Sequence, residues 1–174
     1  MPDGPINVLF LCTGNSARSI LAEALLDHWG HGRFKGYSAG SFPKGEVHPL
    51  TLELLREFRL PTSHLRSKAW DEFTAADAPA LDYVFTVCDQ AAGEVCPVWP
   101  GQPIRAHWGV PDPAAAQGTP AERMLAFRQA FRMLEQRIQL FLAAHKEATS
   151  HAELTRRIAE IGRIGDDTLE GTAS

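Results

Sequence analysis

The chain predicts an open α/β sheet of parallel strands. Two observations carry that prediction. Apolar stretches of strand length alternate with stretches of helical spacing over most of the chain. The first stretch, Ile6 to Cys12, reads as the apolar run expected of a strand buried on both faces. Right-handed crossovers then bring the C-terminal ends of all strands to one edge, where α/β folds build their sites.

The elements follow in order. Ile6 to Cys12 is the first strand, and Ser19 to Trp29 a helix with Ile20, Ala24 and Leu25 on one side. Phe34 to Ala39 is a second strand, closed by Gly40. Pro49 to Phe58 is a second helix, with Leu50, Leu54 and Phe58 at helical spacing and Pro61 beyond its end. Ala69 to Ala78 reads as a short helix. Tyr83 to Cys88 is a third strand and Ile104 to Trp108 a fourth. Pro120 opens a long helix whose apolar positions are Met124, Phe127, Phe131, Leu134, Ile138 and Phe141, an amphipathic stripe. The composition changes after His145. Residues 1–145 are therefore read as the domain and 146–174 as a polar extension, partly helical through Leu154, Ile158 and Ile161. Gly162, Gly165 and Gly171 are expected to loosen its end.

Bulk properties bound the function. The 174 residues suffice for one domain with a real core. A content of 44% hydrophobic and 22% charged residues argues for a globular fold rather than disorder. The net charge of −4 gives no bulk attraction for nucleic acid. No apolar run approaches the roughly 20 residues that cross a bilayer. The start, Met1 to Pro5, lacks the basic and apolar regions of a signal peptide. Three cysteines, an odd count, fit a reducing cytoplasm in which thiols are kept for chemistry.

The most informative stretch is Val8 to Ser19, V-L-F-L-C-T-G-N-S-A-R-S. A strand that ends in a polar, glycine-containing turn opening a helix makes a nest of backbone N–H groups, which suits a tetrahedral oxyanion. Thr13, Gly14, Asn15, Ser16, Ala17, Arg18 and Ser19 are the candidate cradle. Arg18 offers a planar fork for two anion oxygens. Cys12 sits where the nest and a cation are expected to lower a thiol pKa, with Ser16 and Ser19 as hydrogen-bond donors to the thiolate. The pattern points to thiolate attack on a phosphate-like oxyanion. Taken alone, Cys12 would be read as a buried core cysteine. The whole string shifts that reading to a nucleophile. Asn15 suits a left-handed turn or a side-chain brace of the loop.

Asp112, in Val110-Pro111-Asp112-Pro113, follows the fourth strand at the same edge. Alone it would be a turn aspartate; beside an oxyanion site it is a candidate general acid. Cys88 shares the edge with Cys12, and if the first and third strands are neighbours they lie roughly 4.8 Å apart, within reach of a disulfide. Cys96 follows in a polar segment stopped by Pro97, so the three thiols suggest a disulfide relay. Two thiols without further nearby ligands make a poor zinc site, and the seven histidines show no metal spacing. His107 is read as packing. Lys68 and the long-helix arginines are read as a solvated face.

These residues resemble the low-molecular-weight protein tyrosine phosphatase family, and within it the arsenate reductase branch. The resemblance spans about Ile6 to His145. It rests on Cys12 to Ser19, Tyr37-Ser38-Ala39-Gly40, Thr86-Val87-Cys88-Asp89, Cys96-Pro97, His107-Trp108-Gly109 and Asp112-Pro113. It implies a four-stranded parallel sheet flanked by helices on both faces. It implies Cys12 as nucleophile, Arg18 as oxyanion clamp and Asp112 as general acid, with Cys88 and Cys96 as second and third redox thiols. Arsenate, or phosphate as its near-isostere, is the implied ligand. The implied reaction forms a Cys12 adduct, then a Cys12–Cys88 disulfide, then a Cys88–Cys96 disulfide reduced by an external thiol, from thioredoxin or from glutaredoxin with glutathione. No bound cofactor is implied. Residues Asp89 to Pro97 are expected to move during the relay.

The chain departs from the family in two places. Ala114, Ala115 and Ala116 follow Asp112-Pro113 where the phosphatases carry tyrosines that grip an aryl ring. Some reductases bind potassium beside the loop through an asparagine, a glutamate, a serine and an aspartate. Asn15, Glu23 and Ser38 match, but Arg66-Ser67-Lys68 stands where the aspartate is expected, and a lysine there brings its own positive charge. Hydrolysis of a small aryl phosphate and an oxyanion-sensing module are the competing functions. The first needs neither Cys88 nor Cys96; the second needs no nucleophile.

Overall fold

The computed structural model describes residues 4–88 and 99–173. Four parallel strands form one sheet in the order β2-β1-β3-β4: β1 (Ile6–Leu11), β2 (Phe34–Ala39), β3 (Tyr83–Thr86) and β4 (Ile104–His107). The helices are α1 (Arg18–Trp29), α2 (Pro49–Glu57), α3 (Pro120–Glu147) and α4 (His151–Ala173). β1 sits inside the sheet, and Leu11 pairs with Ala39 on one side and with Thr86 on the other. The carboxyl ends of β1 and β3 therefore leave the sheet side by side.

Alternation along β1 divides the core. Val8, Phe10 and Cys12 face the larger apolar cluster, which includes α1, α3 and the start of α4. Leu9 and Leu11 face a smaller cluster with Phe73, Leu81, Val84 and Trp99. Ser19 to Leu26 are all buried, so α1 is covered on all sides rather than along one stripe. α3 starts on a reciprocal cap: Thr119 Oγ1 accepts from Glu122 N at 3.1 Å, and Thr119 N donates to Glu122 Oε1 at 3.3 Å. Phe127, Phe131, Leu134, Ile138 and Phe141 are buried along it, as their spacing predicts.

The elements depart from the sequence reading most clearly at the segment 69–78, the end of β3 and Gly162. The helix expected over Ala69 to Ala78 is a single 3₁₀ turn, Trp70–Phe73. The Thr74 N–H and hydroxyl both bond back to the Asp71 carbonyl, at 3.1 and 2.8 Å, and close the turn there. β3 stops at Thr86, two residues before Cys88. Gly162 does not loosen α4. A Cβ at that position would lie well inside van der Waals contact of the His107 carbonyl, so the glycine lets α4 lie directly against β4. Trp108, stacked on Phe85 at 4.0 Å, donates its indole N–H to the Ile158 carbonyl at 3.1 Å, and Ile158 is buried. Among the described residues, no helix is long and apolar enough to cross a membrane.

Candidate active site

The turn from Cys12 to Arg18 joins β1 to α1, and its shape is set from outside. The Thr13 carbonyl accepts from Phe42 N, the Gly14 carbonyl from Lys44 N and the Ser16 carbonyl from His48 N, each at 3.0 Å. Ser67 Oγ adds a bond to Gly14 O at 3.3 Å, and Thr51 Oγ1 one to Ser16 O at 3.0 Å. Carbonyls held outward leave the N–H groups for the interior, where the Gly14 N–H reaches the Cys12 sulfur. Asn15 takes a left-handed φ of 45° and is fully buried. Its Nδ2 donates to Ser19 Oγ at 2.8 Å, and its Oδ1 accepts from Lys68 N at 2.8 Å. Both structural roles anticipated for Asn15 are thus realised. Gly40 closes the other side. A Cβ there would collide with the carbonyl oxygens of Thr13 and Cys12.

Cys12 and Cys88 are both buried thiols, and they lie in hydrogen-bonding contact. Thr13 Oγ1 is 3.6 Å from Cys88 Sγ. The Cys12 thiol is pushed upward, first by its hydrogen bond with Cys88 and then by burial. Arg18 and the Gly14 N–H pull it back down without overcoming that push. This corrects the expectation of a lowered pKa, which weighed the nest and the cation but not a second thiol. Ser19 Oγ serves Asn15 as an acceptor, so its own proton remains available to donate.

Arg18 opens α1, with Nη1 donating to the Val110 carbonyl at 3.0 Å and Nη2 3.7 Å from Asp112 Oδ2. Its Nε–H is buried and has no hydrogen-bond partner among the described residues. An unpartnered buried guanidinium N–H at an oxyanion loop fits a ligand that accepts from it. Asp112 is more exposed than Arg18 and caps the 3₁₀ turn Pro113–Ala115, with Oδ1 accepting from Ala114 N at 3.0 Å. The structure thus brings Cys12, Arg18, Cys88 and Asp112 together. Cys12, Arg18 and Asp112 border one cavity of about 190 Å³ with Thr13, Gly14, Ser16 and Ala17. Cys96 and the segment Asp89 to Pro97 lie outside the described residues.

Two groups assigned to a solvated face are interior. Arg137 is buried, and its Nη1 donates to the carbonyls of Trp108 and Gly109 at 2.8 and 2.6 Å, fixing the stretch that leads to Asp112. Its place between Leu134 and Phe141, on the apolar stripe of α3, was the available signal. Lys68 is buried too, with Nζ 2.9 Å from the Arg66 carbonyl and 3.9 Å from Glu23 Oε1. Glu23 is buried and accepts from Ser38 Oγ at 2.6 Å. Burial raises the Glu23 carboxyl above its ordinary range, against the pull of Lys68 and Ser38. The ammonium of Lys68 therefore sits among the residues matched to a potassium site. The fold also places ligand atoms of Glu23, Asp27 and His64 within 4.8 Å of one another, which sequence spacing did not reveal. Lys35 Nζ faces Asp27 at 3.2 Å and Lys68 faces Glu23, so both carboxylates already have cations beside them.

Comparison with known proteins adds the family. Residues 7–152 match the low molecular weight phosphotyrosine protein phosphatase family. The chain belongs to this family. An arsenate reductase of Halalkalibacterium halodurans is 36% identical over 139 residues, covering 80% of this chain and 96% of the relative. The thioredoxin-dependent arsenate reductase of Corynebacterium glutamicum superposes with a TM-score of 0.54 at 30% identity, over 80% of this chain and 65% of that one. An arsenate reductase solved in a phosphate-binding state gives a TM-score of 0.65 at 26% identity, over 79% of this chain and 97% of that one. The expected family and the four-stranded sheet with flanking helices are both met.

Proposed function

We propose that this protein reduces arsenate to arsenite, with thiols as the source of electrons. The observation that carries the reading is the pair of buried thiols, Cys12 and Cys88, in contact at an oxyanion loop. A phosphatase needs only the first.

The chemistry balances on these residues. Arsenate enters the loop as a dianion and takes N–H donors from Thr13 to Ser19 and the guanidinium of Arg18. Cys12 Sγ attacks arsenic. The thiol proton leaves with an arsenate hydroxyl as water, with Asp112 as the proton carrier, and a sulfur–arsenic bond forms. Cys88 then attacks the Cys12 sulfur, and its thiol proton passes to an oxygen of the departing arsenite. The sulfur–arsenic bond breaks with its electron pair going to arsenic, so arsenic(V) becomes arsenic(III) and arsenite departs. Cys12 and Cys88 remain as a disulfide. Cys96 attacks Cys88 and frees Cys12, and an external dithiol reduces the Cys88–Cys96 bond. The thioredoxin dependence of the Corynebacterium relative supports a thioredoxin-like protein as that reductant. Such a relay suits a reducing cytoplasm.

The test is arsenate turnover, supplied in separate reactions with a thioredoxin system and with glutaredoxin plus glutathione, beside an aryl phosphate assay on the same preparation. Arsenite formation with either reductant is the expected result. Aryl phosphate hydrolysis without arsenite formation would overturn the reading in favour of a phosphatase.

A further inference from the structure

Lys44 is a basic side chain on the cavity that holds Cys12 and Arg18, and neither the family motifs nor the relay gives it a role. It lies on the exposed segment that turns the loop carbonyls outward. Its backbone N–H is fixed to the Gly14 carbonyl at 3.0 Å. Its methylenes run across Gly14: a Cβ on that glycine would stand 3.2 Å from Lys44 Cε, 3.4 Å from Cγ and 3.6 Å from Cδ. Gly14 is therefore small where the lysine stem crosses the loop. Phe42, two residues away and 73% exposed, borders the same cavity.

The charges around this mouth leave the ammonium available. Among the described residues no carboxylate lies within ion-pair distance of Lys44. Among the described residues, the one carboxylate bordering the cavity, Asp112, faces Arg18. The local field is positive enough to affect a neighbour. His48 is held below its ordinary pKa by burial first and then by Arg123 and Lys44, against Asp112. Its Nδ1 is committed as an acceptor from Leu50 N at 3.1 Å, which the neutral ring requires.

We propose that Lys44 is a second cation of the oxyanion site and selects an inorganic tetrahedral oxyanion over an esterified one. A dianion seated in the loop turns three oxygens to the N–H groups and Arg18. Its fourth oxygen points to the mouth, where Lys44 binds it. A phosphonate has carbon at that position and gives the ammonium no oxygen to hold, and an aryl ester offers only an uncharged bridging oxygen that carries the ring. The inference rests on the oxyanion reading of the loop and adds to it a residue that sets ligand class.

The experiment is calorimetric binding of inorganic phosphate and of phenylphosphonate to the full chain. The variants are Lys44→Gln, Lys44→Arg and, as a control for bulk charge, Lys146→Gln at the far end of α3. Lys44→Gln should weaken phosphate binding about two- to fivefold, the upper part of the range of an exposed charged contact. It should change phenylphosphonate binding less than about twofold. Lys44→Arg should restore phosphate binding, and Lys146→Gln should leave both ligands unaffected. Three results would overturn the proposal: phosphate binding by Lys44→Gln at the wild-type level, equal losses for both ligands, or an equal loss in Lys146→Gln. A wild type that binds no phosphate would remove the oxyanion site and the proposal with it. Phosphate data as expected beside absent arsenate turnover would sink the reductase reading alone.

Discussion

On one wall of the pocket, the carbonyls of Thr13, Gly14 and Ser16 are each tied to the segment 42–51, and Asn15 is tied at both ends of its side chain. On the other wall, Arg18 leans on one backbone carbonyl and stands 3.7 Å from a half-exposed carboxylate; Cys88, in contact with Cys12, lies just beyond the end of β3. The first wall is assembled before any ligand arrives, so it binds without reorganising. Among the described residues, the Arg18 side chain on the second wall has one hydrogen bond and one long ion pair, which suits a wall where, on the proposed reading, a thiol turns toward a sulfur and a carboxyl gives up a proton. On the proposed reading, the tied wall shapes the oxyanion cradle, and the loose one supplies its clamp, Arg18, together with the groups that carry the chemistry. Mutations should separate the two.

The largest effect is expected on the loose wall together with the nucleophile it faces. Cys12→Ser should abolish arsenate reduction and any aryl phosphate hydrolysis, because a hydroxyl is a far weaker nucleophile than a thiol and cannot form the disulfide. Cys88→Ser should abolish arsenate reduction yet spare aryl phosphate hydrolysis, whose second step uses water. Mass spectrometry of non-reduced peptides after arsenate treatment should find a Cys12–Cys88 disulfide in the wild type and none in either variant. Wild-type arsenate turnover in Cys88→Ser would end the relay.

Asp112→Asn comes next. Aryl phosphate hydrolysis should fall about 10²–10⁴-fold, the usual worth of a general acid. Phosphate affinity, measured by calorimetry, should hold, because Asp112 is not part of the tied wall. A collapse of affinity along with rate would make Asp112 a structural member of the loop, and the division between the walls would fail.

Gly40→Ala tests the tied wall directly. The added methyl meets the carbonyls of Thr13 and Cys12, and backbone cannot yield as a side-chain tip does. Urea unfolding should show a loss of about 2–3 kcal/mol, as for overpacking elsewhere, and phosphate affinity should fall with it. Unchanged stability with unchanged affinity would mean that the loop tolerates distortion and is not preassembled.

The legible and illegible parts of the chain follow the same physical line. β1, the loop and α1 were readable because an apolar run, a glycine-containing polar turn and a helical pattern sit in direct succession. α3 was readable from its spacing, and the sheet edge from strand ends. The tie from residues 42–48 to the loop carbonyls was not readable. Every residue except proline carries a backbone N–H, so such bonds leave no mark in composition. Lys68 and Arg137 were misplaced because long charged side chains are rarely buried. Only tertiary partners, a buried glutamate for one and two backbone carbonyls for the other, account for them. The upward push on Cys12 was missed for a related reason: it comes from a thiol 76 residues further along the chain.

The smallest effect concerns the support behind the tied wall, where Lys68 joins Asn15 through its backbone and Glu23 through its ammonium. Burial holds the Glu23 carboxyl above its ordinary value of 4.5. A carboxyl that binds its proton more tightly folded than unfolded stabilises the fold at low pH. That contribution is lost as pH rises from the unfolded value through the folded one. Lys68 opposes the shift by favouring the charged form. Lys68→Met removes that opposition while keeping the stem and the backbone bond to Asn15, so Glu23 should rise further. The variant should therefore lose more stability than the wild type on going from about pH 5 to about pH 8 in urea unfolding. The gap between the two proteins should be widest at the upper end. A gap that narrowed with rising pH would mean that Glu23 does not depend on Lys68 for its charge. The lysine's contribution to the wall would then lie in its backbone N–H alone.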